Sequence, residues 1–180
     1  MCASMLAVVC SVIAAVLWGS VLAGVLLTRD ALRETERWVG MPVPAVEVAA
    51  RGADGDRSRR IAAGEGRARL ALVFITPEHE ASDETLRILA ELSPSFPSVG
   101  LLVVGTQSSV DATRRAVLHS GLDVEAIGGE TALPAPIDAV AITPTIVVID
   151  RDGRIESAAS GGRPAAEIKR MLEGPAASMR

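Results

Sequence analysis

Thiols are nearly absent from this chain. Its 180 residues include two cysteines, Cys2 and Cys10, and none after position 10. From Ser11 onward the chain can therefore hold no internal disulfide, no cysteine-type zinc site and no thiolate nucleophile. Aromatic residues are 2% of the total and tyrosine is missing, which argues against stacking on nucleic-acid bases. A net charge of −4 also argues against binding a phosphate backbone, so no nucleic-acid partner is expected. Lysine occurs once, as Lys169; arginine carries the rest of the positive charge.

Charge is also missing from the N-terminus, where no charged side chain precedes Arg29. The apolar stretch Met5 to Leu27 is long enough for one helix to cross a bilayer, which predicts a transmembrane anchor over residues 1–28. A cleaved secretory signal with Ala23 near the cut is the competing reading. The length of the stretch and the lack of a preceding basic residue favour the uncleaved anchor. Val9 is too bulky to support a lipoprotein signal ending at Cys10. Cys10 falls inside the apolar stretch, where a thiol behaves as a small apolar group. Cys2 lies beyond it, with no motif for acylation or intermolecular pairing.

Residues 29–37 alternate Arg29, Arg33 and Arg37 with Asp30, Glu34 and Glu36, which predicts an exposed polar juxtamembrane helix with i,i+4 pairs. Taken alone, those arginines place the following domain in the cytoplasm by the positive-inside rule.

The soluble part, 38–174, reads as one domain followed by a loose tail at 175–180. Pro42 and Pro44 introduce a first alternating strand. ADGDRSRR reads as a polar turn, and IAAGEGRAR as irregular or a weak strand. Leu70 to Thr76 and Val99 to Thr106 are continuous apolar runs of strand length, as in buried parallel strands. A helix is expected from Ser82, acting as its cap, to Leu92, and another after the N-cap Ser109 up to Gly121. Thr145 to Asp150 forms a strand, Arg151 to Gly153 a tight turn and Arg154 onward a partner strand. A last helix covers roughly 163–172. The order describes an α/β domain with a mixed central sheet and helices on both faces.

Three segments of this domain resemble the thioredoxin-like superfamily, and most closely its membrane-anchored TlpA, ResA and MauD-type members: VGMPVPAVEV, LVFITPEHEASDETLRIL and TPTIVVIDRDGRI. The resemblance implies a thioredoxin-like three-layer α/β/α fold, with Thr143-Pro144 as the cis-proline loop that offers backbone groups to an extended peptide. It also implies a Cys-x-x-Cys in the turn after the first buried strand. Those positions fall on His79 and Ser82, an HxxS in place of the two thiols. Imidazole forms no stable mixed disulfide, and a hydroxyl without a base is a far weaker nucleophile. The resemblance further implies a membrane-bound accessory protein with a protein partner, its domain facing outside the cytoplasm against the arginine count.

One alternative is a disulfide-exchanging component active only with cysteines supplied by a partner; two others are thiol-independent or metal-assisted enzyme chemistry at the same turn. His79 and Ser82 as a base–nucleophile pair lack a third residue to orient the imidazole and a glycine-flanked nucleophile elbow. Glu78, His79, Glu80 and Asp83 are hard ligands, yet adjacent residues in one turn seldom converge. The only other histidine, His119, sits near a helix end, where the dipole suits it. No metal or other cofactor is therefore expected, and no catalytic residue is assigned.

Overall fold

The computed structural model describes residues 34–61 and 69–174. The expected anchor over 1–28, the start of the juxtamembrane segment and the tail at 175–180 lie outside the described residues. Among the described residues no helix is long and apolar enough to cross a membrane.

Seven strands form one sheet: β1 Val46–Gly52, β2 Gly55–Ile61, β3 Arg69–Ile75, β4 Val99–Gly105, β5 Glu125–Ile127, β6 Thr145–Ile149 and β7 Ile155–Ser160. Among the described residues three α-helices accompany them: α1 Glu80–Leu92, α2 Val110–His119 and α3 Ala165–Glu173. The strand order is β2-β1-β5-β4-β3-β6-β7. β3, β4 and β5 run parallel, whereas β6, β7, β1 and β2 pair antiparallel with their neighbours. The apolar runs behave as their composition requires: every residue of β4 and β6 is buried, as in strands covered on both faces.

β3 shows how the two faces divide. Ala71, Val73 and Ile75 pack with Leu86 and Leu89 of α1, Val117 of α2 and Ile168 and Leu172 of α3. Leu72 and Phe74 point the other way, toward Trp38, Val43, Ile137, Val147 and Ile149. The expectation of helices on both faces therefore needs correcting. Among the described residues all three α-helices pack on one face, and the other is closed by the N-terminal segment and the 128–142 loop. The cause lies in the connections. β3-α1-β4 and β4-α2-β5 step across the sheet in the same direction, so two right-handed crossovers leave both helices on the same side. The loop after β5 carries Gly128, Gly129, Pro134 and Pro136, which oppose a helix. It contributes a single 3-10 turn, Ile137–Ala139, with Ile137 fully buried.

Three local expectations also change. ADGDRSRR, read as a polar turn, is the tip and second strand of a hairpin, with Gly52 opposite Gly55. Helix α1 begins at Glu80 rather than Ser82, and Ser82 lies buried inside its first turn. The polar segment before residue 38 ends by docking on the domain: Thr35–Trp38 is a 3-10 turn with both end residues buried. Elsewhere the local signals hold. Ser109 Oγ accepts the Ala112 N–H at 3.3 Å as an N-cap, and Gly121 follows α2 at φ +81°.

Candidate functional site

The turn from β3 into α1 occupies the C-terminal edge of the parallel strands, where open α/β sheets gather ligand-contacting groups. Thr76 ends the buried run. The chain then reverses through Glu78, held at φ +66°, a left-handed conformation unusual for a glutamate. His79 occupies the N-cap position in an extended conformation, and its side chain makes no capping bond. Its carbonyl accepts the Ser82 N–H at 2.8 Å and the Asp83 N–H at 3.0 Å. Glu80 and Asp83 sit in the first turn, where the helix dipole favours acidic groups.

His79 and Ser82 are brought into one turn but not into contact. His79 is exposed, whereas Ser82 is 0% exposed. Ser82 Oγ accepts the Thr76 N–H at 3.3 Å, a bond that closes the turn on itself. No hydrogen bond joins the imidazole to the hydroxyl among the described residues, and the geometry contains no base–nucleophile pair.

The Thr143-Pro144 peptide bond is cis, and Pro144 is buried beside this turn. Thr143 Oγ1 lies 2.7 Å from Thr76 Oγ1, which in turn lies 3.2 Å from Thr106 Oγ1. Thr106 Oγ1 donates to the Ile75 carbonyl at 3.0 Å. Three hydroxyls, from the ends of β3 and β4 and the start of β6, thus tie the three segments together. The Thr143 backbone N–H and carbonyl form no hydrogen bond among the described residues. Sequence reasoning singled out Thr143 but missed Thr76 and Thr106. The available signal was that each is the first polar residue after a buried apolar run. It missed a second cis bond, Ala135-Pro136, as well.

Two concavities flank the turn. One, of about 330 Å³, lies on the face opposite α1, α2 and α3 and is lined by Phe74, Val104, Thr106, Gln107, Ile137 and Val140 among others. The other is an open groove of about 730 Å³ between the turn and α2, bordered by Pro77, Glu78, Asp83, Arg115 and His119. Glu78, Asp83 and His119 thus share a groove, while His79 and Glu80 lie outside its lining. Among the described residues no three His, Cys, Asp or Glu side chains converge closely enough to hold a metal ion.

No protein-family model matches the sequence, and no curated protein matches it. Solved structures do match the fold. StoA from Bacillus subtilis superposes with a TM-score of 0.56 at 16% identity, over 71% of this chain and 97% of its own. A putative thiol:disulfide interchange protein DsbE from Chlorobium tepidum gives 0.57 at 16%, over 75% and 92%. A secreted Mycobacterium tuberculosis disulfide oxidoreductase homologous to E. coli DsbE gives 0.56 at 16%, over 69% and 93%. The domain therefore has the thioredoxin-like fold.

Proposed function

We propose that this protein is a membrane-anchored thioredoxin-like module that binds a protein partner without exchanging disulfides. The observation that carries the reading is the make-up of the turn: an exposed histidine and a fully buried serine stand beside a cis-proline loop, and no cysteine follows position 10. In proteins of this fold that catalyse exchange, a thiolate at the helix start attacks a disulfide and a second cysteine resolves the adduct. Among the described residues neither step has a sulfur atom to perform it. What remains is the recognition half of such a site. Among the described residues Thr143 keeps an unpaired backbone donor and acceptor for strand-like pairing with an extended peptide, and Pro144 with the threonine cluster fixes that segment in place.

The apolar stretch Met5 to Leu27 supports anchoring in the cell membrane by a single span. The resemblance to anchored redox-maturation proteins supports a domain outside the cytoplasm, acting in assembly of a membrane or extracytoplasmic redox protein. The test is a mixed-disulfide exchange assay on the purified full-length protein, followed by affinity capture from solubilised membranes. The reading expects background exchange and a retained partner. Exchange above background that survives Cys2→Ser and Cys10→Ser overturns it.

A further inference from the structure

The chain arrives at the domain next to the candidate site. Thr35 is buried, and its hydroxyl lies 3.1 Å from Ser160 Oγ at the last residue of β7. Ser160 Oγ lies 2.7 Å from Thr145 Oγ1, and Thr145 directly follows the cis-proline. Thr145 Oγ1 is also 2.7 Å from the Ile142 carbonyl, and the Gly161 N–H donates to the Pro144 carbonyl at 2.7 Å. Three hydroxyls and one backbone bond therefore fasten the arriving segment to the loop that carries Thr143. From Thr35 the chain runs the length of β7 to Met41, whose carbonyl accepts the Ile155 N–H at 2.9 Å at the opposite end of the sheet. Trp38 is buried along that path.

The point at which the chain arrives sets which end of the sheet a short tether holds nearer the membrane. Leu27 closes the apolar stretch, and 35 − 27 gives eight residue steps to Thr35. Eight residues span at most about 28 Å even when fully extended. We infer that the cis-proline loop and the β3–α1 turn form the bilayer-facing end of the domain, and that the partner segment they bind belongs to a membrane-borne protein and lies close to the bilayer surface. The Arg151–Gly153 turn then sits farther from the bilayer, by roughly 20 Å for a six-residue strand. Two proteins confined to one membrane meet at raised effective concentration when their sites lie at matching heights. The inference holds for either orientation across the membrane, because only the tether length and its point of attachment enter it. It rests on the anchored, peptide-binding reading above.

The test uses the full-length protein with Cys2→Ser and Cys10→Ser, reconstituted into phosphatidylcholine vesicles that carry a headgroup-linked energy acceptor. A donor fluorophore is attached at Ala141→Cys or at Asp152→Cys, both exposed and at opposite ends of β6. The expected result is severalfold more transfer from position 141 than from position 152. Equal transfer, or more from position 152, in protein that floats with the vesicles overturns this inference and leaves the anchored reading intact. Protein that fails to float overturns both.

Discussion

Ser82 is the residue on which a structural and a chemical reading of the turn diverge most sharply. Its hydroxyl is fully buried and accepts the Thr76 N–H at 3.3 Å. Ser82→Ala deletes that acceptor. An unsatisfied buried donor costs about 1–3 kcal/mol, and because Thr76 is exposed, water can reach part of its N–H, so the low end applies, about 1–1.5 kcal/mol. For a chain of this size that corresponds to a fall in Tm of about 2–5 °C. Urea unfolding of the full-length protein in mild detergent measures it, followed by fluorescence of buried Trp38 in a Trp18→Phe background. The midpoint should drop with an unchanged slope, since the surface exposed on unfolding stays the same. Ser82→Cys should lose less, because sulfur fills the space and remains a weak acceptor. A Ser82→Ala change under about 0.5 kcal/mol would show that the hydroxyl does not hold the turn. A hydrolytic activity lost in that variant at unchanged stability would reassign Ser82 as a nucleophile.

Gly129 packs against the β4–α2 turn so closely that an added Cβ would lie 2.6 Å from the Gly105 carbonyl oxygen and press on Gln107 N. Gly129→Ala should therefore destabilise by about 1–3 kcal/mol in the same unfolding assay, as overpacking against backbone does; Gly52→Ala, with a 3.5 Å contact to a flexible Glu125 side chain, should be tolerated. Asp56 has its pKa lowered by a hydrogen bond from Arg51, opposed by desolvation. A lowered folded-state pKa stabilises above the unfolded value, near 3.9, and the benefit fades as pH falls through the folded value. Asp56→Asn should therefore unfold more easily than the parent at neutral pH, and the two acid-unfolding curves should converge below pH 4; a gap that widens with acid contradicts the pairing.

The sequence made the sheet's centre readable and its margins obscure. Leu70 to Thr76 and Val99 to Thr106 are unbroken apolar runs because β3 and β4 are covered on both faces, and such runs carry a strong signal. β2 lies at an edge, where GDRSRRI gains its strand from pairing with β1 rather than from burial, and edge strands favour charge. β5 has three residues, too few for a period. The gathering of α1, α2 and α3 on one face was hidden because handedness and strand order, not composition, decide which side α2 occupies. Near the candidate site, the cis Thr143-Pro144 bond and the placing of His79 and Ser82 in one strand-to-helix turn were expected through resemblance. The joining of Thr143 to Thr76 and Thr106 was not, since Thr106 and Thr143 lie 30 and 67 positions from Thr76 and the three meet only when β3, β4 and β6 align. The start of α1 was misread because a serine before an apolar helical pattern has the signature of a cap, while this one turns inward.

The proposed function requires that this turn match a disulfide-exchanging site in all but its two thiols. Placing cysteines at both positions, His79→Cys with Ser82→Cys in a Cys2→Ser, Cys10→Ser background, tests that directly. Mass spectrometry should find an intramolecular disulfide between positions 79 and 82 after mild oxidation, and the variant should exchange with a mixed-disulfide substrate while its cysteine-free parent stays at background. A folded variant whose two thiols remain free under the same oxidation, or a parent that already turns the substrate over, would contradict it.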